Sequence, residues 1–423
     1  MKIKFVVLSC LLLCIILASC QYSSERINLN DAKNAGEEIA DPKLTLMLYM
    51  AADNDLESYA IQNLKAMEHA KFEKVNVLVL LDRSDGYDET NDNWTDTRLF
   101  KVQHDKTDGN FIISKRLSCA PLGLSDQTET ELDMANPSVL KSFIEFSKSE
   151  YPAEKYALII WGHGTGWRGR AVAVDDRSQT YMSLSDLGNA LQDHGLSVIG
   201  FDTCFGGVLE NLYELKSCAE YTAACPGVTP GSGWDYDELL SSLDISDFSP
   251  LSIAKLMAES STAATSVFVN EKLAELFNSF EDFSNALSDT VTDSVSRSST
   301  LNQLVSSKSY SYSQSPCDIY LDVSALADLY SSAGNSTLAA SAQSLRNTIN
   351  QSVISKTSST PGIGVHFIPK ATSGALASVH SSDYIKDDSR TDQCSFIKES
   401  RWWVPTINGN SGSLLDKLFY TVF

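Results

Sequence analysis

The chain carries little positive charge for its length. Lys and Arg number 33 against 54 Asp and Glu, a formal net charge of −21 over 423 residues. Phosphate binding needs clustered Lys and Arg, so the balance argues against a nucleic-acid partner. The acidic excess reads first as a solvated surface, and it would attract cationic partners. Histidine is scarce, at six residues. There is no C-x-x-C pair and no Cys/His cluster at zinc spacing, so no metal site is assigned. Internal repeats are lacking. Beyond the N-terminus, no segment has the uninterrupted apolar length of a membrane-spanning helix.

What is present begins with "MKIKFVVLSCLLLCIILASCQYSSE". Two lysines precede a short apolar stretch and small residues, the pattern of a secretory signal. Its end, Leu17-Ala18-Ser19-Cys20, resembles a bacterial lipobox, in which the Cys becomes the lipidated first residue of the mature chain. The expectation is a lipoprotein signal over 1–20, a polar tether over 21–42, and a membrane partner reached through the lipid on Cys20. Several acyl chains anchor stably where one does not. The expected location is the bacterial cell envelope, periplasmic or surface-exposed. Of nine cysteines, Cys10 and Cys14 leave with the signal. Six remain, namely Cys119, Cys204, Cys218, Cys225, Cys317 and Cys394. An envelope location permits disulfides, but their pairing cannot be read from spacing.

Five short apolar runs follow: "LTLMLYMA" (44–51), "KVNVLVLLD" (74–82), "YALIIWGHG" (156–164), "LSVIGFDTC" (196–204) and "YTAACPG" (221–227). Each closes on polar or glycine residues. Between them lie amphipathic patterns such as "DLESYAIQNLKAMEHA" and "NPSVLKSFIEFSKSEYP". Alternation of apolar strands with amphipathic helices predicts an α/β fold with a mainly parallel sheet covered on both faces. Further on, "SPLSIAKLMAESSTAATSVF" and "EKLAELFNSFEDFSNALSD" read as helical. The Ser-rich stretch 286–316 reads as including loops. "CDIYLDVSALADLY" and "PGIGVHFIPK" read as later strands followed by a helix or loop.

Function in parallel sheets collects at the carboxyl ends of strands. His163 and Cys204 both stand at such ends. Cys204, in "GFDTCFGG", is expected to open a helix, whose N-terminal N–H groups would favour thiolate. If the two strands are neighbours, thiol and imidazole share a cleft. Cys204 then attacks a carbonyl and His163 protonates the leaving amine. The backbone N–H groups of Gly164 and Cys204 would form an oxyanion hole. Cys218 and Cys225 compete as nucleophiles, but neither carries the glycine turn.

Taken together, "LYMAADNDLE", "YALIIWGHGTGW", "GFDTCFGGVLENLYEL" and "PGSGWDY" resemble the clostripain family of cysteine peptidases. The likeness spans roughly residues 44–236, with weaker echoes such as "GIGVHFIP". It implies a caspase-like α/β/α sandwich over 43–236, and a C-terminal α/β region, 237–423, completing the fold. It also implies peptide-bond hydrolysis by a His163/Cys204 dyad, acting on polypeptide substrates after Arg or Lys. By the same likeness, Asp202 helps bind the basic side chain. Paired carboxylate and guanidinium are physically apt for this role. Ser232 stands where the family commonly has an acidic residue, which would weaken or alter that preference. Trp234 and Asp235 are further candidates for the cleft, with core packing or loop structure as the competing role. Family members are often zymogens cut between the His and the Cys. Among Arg168, Arg170 and Arg177, the polar surroundings of Arg177 favour cleavage there. The chain is expected to act as a monomer. No cofactor is expected, although some relatives require calcium. "LDRSDGYDETNDNWTD" (81–96) has enough carboxylates for Ca2+ but lacks EF-hand spacing and reads first as a solvated acidic loop. "ADNDLE", near residue 54, reads first as helix capping. The competing function is a catalytically degenerate relative serving as a surface binding protein.

Overall fold

The computed structural model describes residues 41–107, 109–167, 172–311, 319–355, 362–367, 394–402 and 413–419. The expected signal, Cys20, nearly all of the tether, Arg168, Arg170 and Cys317 lie outside these residues. The first two apolar runs form β1 (Leu44–Ala52) and β2 (Val75–Arg83), buried along their whole length and joined by α1 (Glu57–His69). Next come β3 (Thr97–Lys101), β4 (Lys115–Leu117), α2 (Pro137–Glu150) and β5 (Lys155–Trp161). A hairpin, β6 (Val172–Asp175) and β7 (Thr180–Met182), leads to α3 (Leu184–Leu191), β8 (Leu196–Asp202), α4 (Leu209–Leu215) and β9 (Ala219–Ala224). The chain continues through α5 (Tyr236–Asp244), α6 (Pro250–Ser260), β10 (Ser266–Val269), α7 (Leu273–Asp289) and α8 (Ser294–Val305). It ends in β11 (Ser309–Ser311), β12 (Ile319–Asp322), α9 (Val323–Tyr330), α10 (Ser336–Ser352), β13 (Val353–Ser355), β14 (Gly364–Phe367), α11 (Ser395–Glu399) and α12 (Leu414–Phe419).

Nine strands make one sheet in the order β13-β10-β9-β8-β5-β1-β2-β3-β4. Its centre, from β2 to β9, is parallel, and both edges are antiparallel. Successive residues of β1 feed opposite cores. Leu46, Leu48 and Met50 meet Ile61 and Leu64 of α1, Leu240 of α5 and Met257 of α6. Met47 and Tyr49 face the core containing Phe143 of α2, Leu187 of α3, Leu212 of α4 and Phe280 of α7. Each fully buried Leu, Phe or Met contributes roughly 1.5–3 kcal/mol. Thus the apolar runs are strands because both faces are covered. Local chemistry marks the helix starts: Asn136, Ser183, Asp235 and Ser249 each accept an N–H from the first turn of α2, α3, α5 and α6.

The sandwich with a mainly parallel sheet agrees with the sequence reading. One local expectation changes, and the structure adds two details. "SVF", the end of the stretch "SPLSIAKLMAESSTAATSVF" read as helical, is strand β10, antiparallel to β9. The Ser-rich stretch contains α8, started by a reciprocal capping box between Asp293 and Ser296. The short strands β3, β4, β6 and β7 carry too little periodicity to be seen in the sequence, and β6 and β7 form a two-stranded sheet of their own. A separate three-stranded sheet, β11-β12-β14, reaches back to the turn after β8: Gly364 N–H donates to Gly207 O at 3.0 Å.

The chain passes from β1 outward to β2, then returns to β5 on the other side of β1. This reversal opens a crevice at the carboxyl ends of β1 and β5, where α/β sheets bind ligands.

Candidate active site

Register places the two reactive side chains together. β5 and β8 are parallel neighbours, with Trp161 opposite Asp202. His163 and Cys204 each follow two residues later, at equivalent places on adjacent strands. Gly162, at φ +137°, donates its N–H to Asp202 O at 3.3 Å and so ties the two exits together. A Cβ at Gly162 would lie 3.0 Å from Ala51 O, so glycine is needed there for both conformation and space. The main chains then abut: a Cβ on Gly164 would come within 2.4 Å of Cys204 O. His163 and Cys204 line one cleft of about 200 Å³, together with Trp161, Asp202, Thr229 and Gly233.

Cys204 does not open a helix, contrary to the sequence expectation. α4 starts five residues later, at Leu209, and residues 204–207 form a turn. Phe205 takes a left-handed φ of 54°. The turn is tied to the chain beyond β9 by Phe205 N–H to Gly227 O and Gly207 N–H to Cys225 O, each 2.8 Å. A Cβ on Gly206 would press to 2.7 Å from Phe201 Cβ. The glycine pair therefore serves close packing rather than a helix start. In place of a helix terminus, Thr229 serves the thiol. Its N–H donates to Cys204 Sγ at 3.3 Å, and the thiol donates to its carbonyl at 3.5 Å. The Thr229 hydroxyl also donates to Thr203 O at 3.0 Å.

His163 Nε2 meets Asp55 Oδ1 at 2.7 Å. That contact leaves Nδ1 for other partners and fixes the ring's orientation. Asp55 belongs to "ADNDLE", read in the sequence only as a cap. Asn54 does serve the chain locally, accepting Leu56 N–H at 3.0 Å. The loop after His163 is braced from the C-terminal sheet, where Tyr320 OH donates to Thr165 O at 2.6 Å.

Asp202 ends β8 at the floor of the cleft and is 4 % exposed. Its Oδ2 accepts Trp234 N–H at 3.0 Å and Tyr236 OH at 2.8 Å. Its Oδ1 is buried without a partner. Burial pushes the carboxyl up to about 7, although the two donors pull the other way. Against the ordinary value of 3.8 this amounts to roughly 4 kcal/mol set against the ionised form. A cation entering the cleft would reverse that cost by pairing with the open oxygen.

The family model of the clostripain family matches residues 48–398. The chain belongs to the clostripain family. Clostripain of Hathewaya histolytica is 30% identical over 226 residues, in a match that covers 47% of this chain and 41% of that protein. The match thus spans about two fifths of that curated relative's length. Two solved structures share the fold. A secreted C11 cysteine protease from Bacteroides thetaiotaomicron, in complex with an irreversible peptide inhibitor, superposes with a TM-score of 0.57 at 19% identity. It covers 83% of this chain and 99% of the other. An inactive zymogen C11 protease from Parabacteroides distasonis gives a TM-score of 0.59 at 18% identity, covering 84% and 99%.

Within this clostripain-family chain, three sequence candidates leave the cleft lining. Ser232 is exposed and contributes its carbonyl to Asn63 Nδ2 at 2.8 Å. Trp234 is buried beneath Gly200, and it reaches Asp202 through its backbone N–H. Asp235 caps α5 by accepting Glu238 N–H at 3.1 Å. Gly233, between them, does line the cleft: a Cβ there would stand 2.6 Å from Asp202 Oδ2. Arg177 sits exposed in the β6–β7 turn, with its guanidinium on Glu131 Oε2 at 2.8 Å. Cys218 and Cys225 are buried, and burial pushes each thiol up to about 11. Sequence reasoning missed Asp55, Thr229 and Tyr236. Asp55 and Tyr236 had a weak signal, standing in "LYMAADNDLE" and "PGSGWDY"; Thr229 had none.

Proposed function

We propose that this clostripain-family chain is a cysteine endopeptidase cutting polypeptides after Arg or Lys. The observation that carries the proposal is the pairing of Trp161 with Asp202. It sets His163 and Cys204 side by side above a buried carboxylate with one open oxygen.

In this reading the basic side chain enters the cleft and pairs with Asp202 Oδ1. The scissile carbonyl then lies over Cys204. His163 Nδ1 accepts the thiol proton as Sγ attacks, and the tetrahedral oxyanion is met by the Gly164 and Cys204 N–H groups. Collapse breaks the C–N bond, and the imidazolium returns the proton to the leaving amine. A water, deprotonated by His163, hydrolyses the thioester, and the proton passes back to Cys204. Asp55 holds the ring and stabilises its charged form. The exposed β6–β7 turn supports self-cleavage after Arg177 as the activating step, and Edman sequencing of active enzyme should then show a chain starting at Ser178. We further assign the protein to the cell envelope, anchored through lipidated Cys20.

The test uses protein lacking residues 1–20, fluorogenic peptides with varied residues before the cut, and a Cys204→Ala control. Turnover after Arg and Lys that disappears in Cys204→Ala supports the reading. Equal turnover by both proteins overturns it, and so does no turnover by either after trypsin nicking.

A further inference from the structure

His163 lines two hollows. Beside the reactive cleft lies a second cavity of about 390 Å³, bounded by Asp55, Tyr87, His163, Gly164, Val174 and Asp176. Neither Cys204 nor Asp202 reaches it. Among the described residues, His163 is the one that lines both, so the imidazole stands between them. Three exits of the strands build the second cavity: the turn after β1, the acidic loop after β2 and the β6–β7 turn. Its size is that of a small-ligand pocket.

Position decides which part of a substrate can reach it. In the peptidase reading the basic side chain before the cut points to Asp202, and the imidazole protonates the leaving amine. The chain after the cut therefore starts beside His163. Gly164, an oxyanion donor in that reading, also borders the second cavity. Its surfaces are mixed in character. Val174 is buried and Tyr87 is exposed, and together they offer an apolar flank. Asp55 is committed through Oδ1 to His163 at 2.7 Å. Asp176 is exposed and placed by its N–H, which donates to Asp53 O at 2.9 Å. Among the described residues, no side chain pairs with the Asp176 carboxylate, and no Lys or Arg lines the cavity. A side chain with an apolar stem and a cationic tip suits such surfaces, whereas an acidic one meets two like charges.

We propose, resting on the peptidase reading with His163 as proton donor, that this cavity receives the first residues after the scissile bond and favours Lys or Arg there. Asp176 and Tyr87 set the preference, Asp176 by charge and Tyr87 by packing on the stem. This is a second place of cation recognition, separate from Asp202 and on the other side of the bond. Polypeptides with basic residues on both sides of the cut engage both and are the expected best substrates.

The test uses the full chain and two kinds of substrate that share Arg before the cut. An Arg aminomethylcoumarin amide carries a small neutral dye in place of the chain after the cut. Internally quenched peptides carry Lys, Gln or Glu at the first or second position after it. At one of those positions kcat/KM should be at least about fivefold higher for Lys than for Glu, and the gap should narrow in high salt. Asp176→Asn should narrow it as well, and Asp176→Lys should reverse the order. Tyr87→Ala should raise KM for the Lys peptides a few-fold. A purely structural role for Asp176 predicts an equal loss on every peptide with the order kept. Turnover of the dye substrate without preference between Lys and Glu, or a preference unmoved by Asp176→Lys, overturns the proposal and leaves the peptidase reading standing. No turnover of the dye substrate after trypsin nicking overturns both.

Discussion

Two cysteines stand beyond the ends of neighbouring parallel strands, Cys204 two residues past β8 and Cys225 directly after β9. Each sulfur accepts one backbone N–H at 3.3 Å, from Thr229 and from Gly227. Their surroundings differ in one respect. Cys225 is sealed, and burial pushes its thiol up to about 11. Cys204 is half-buried and faces the cleft with His163 and Asp202. A strand-end thiol with a donor is therefore not enough for a nucleophile. An opening in front of it, with an imidazole on its wall, is the part that Cys225 lacks.

Removing each sulfur should separate the two most sharply. Cys204→Ala should lower kcat/KM on Arg peptides by at least about 10⁴-fold, with a melt close to wild type. Cys225→Ala should stay within a few-fold in rate, and it should cost roughly 1–2 kcal/mol of stability through lost packing. If both substitutions cost activity equally, the distinction fails.

Alkylation measures the same contrast without mutation. A thiol at about 11 is about 10⁻³ ionised at pH 8, and thiolate is the reacting form. Iodoacetamide followed by peptide mapping should label Cys204 at least about 100-fold faster than Cys225 or Cys218. Comparable rates under native conditions would show that the cleft does not set reactivity.

Asp202 provides the next contrast, between cationic and neutral substrates. Asp202→Asn keeps the shape of the floor and removes its charge. The change should cost Arg and Lys peptides about 2–4 kcal/mol in kcat/KM, on the order of 30- to 1000-fold. Peptides with a neutral residue before the cut should change little. A uniform loss across substrates would assign Asp202 to structure alone.

The sequence made the centre of this site legible and its supports illegible. His163 and Cys204 could be read because each closes an apolar run, and a parallel sheet places function at those ends. Asp202 could be read only through the family resemblance, which gives the acidic residue two before the thiol a part in binding a basic side chain. The helix expected at Cys204 failed because Gly206 and Gly207 look alike whether they start a helix or pack a turn. Here they let the turn press against Phe201 and Cys225. Thr229, Tyr236 and Tyr320 act from separate elements, and no local pattern links them to the cleft. Asp53 and Asp82 lay in stretches read first as a helix cap and an acidic loop, and nothing in the sequence linked them to each other or to Asp175, although the three carboxylates meet. Their meeting depends on strand order, which spacing along the chain does not encode. The strands β3, β4, β6 and β7 were missed because they are short; β3 and β4 are held by the sheet edge they join, and β6 and β7 by pairing with each other.

The smallest effect tests whether Asp202 is tuned by its own donors. With its carboxyl at about 7, the free enzyme holds this group partly protonated at neutral pH. A basic substrate pairs with the ionised form, so KM for Arg peptides should fall as pH rises through about 7, whereas KM for neutral peptides should not. The sign for stability is opposite. The folded value lies above the unfolded 3.8, so this group's contribution is fully present below pH 3.8 and is lost as pH rises through about 7. The Tyr236 hydroxyl, donating to Oδ2 at 2.8 Å, favours the ionised carboxylate. Tyr236→Phe removes that donor and leaves Trp234 N–H in place. The midpoint of the KM profile should then move upward, by up to about one pH unit, and activity on Arg peptides near pH 7 should drop a few-fold. At pH 9 the variant should recover, because Asp202 is ionised in both proteins. A profile that keeps its midpoint would detach Tyr236 from the charge on the cleft floor, whereas a loss that persists at pH 9 would mark its role as packing.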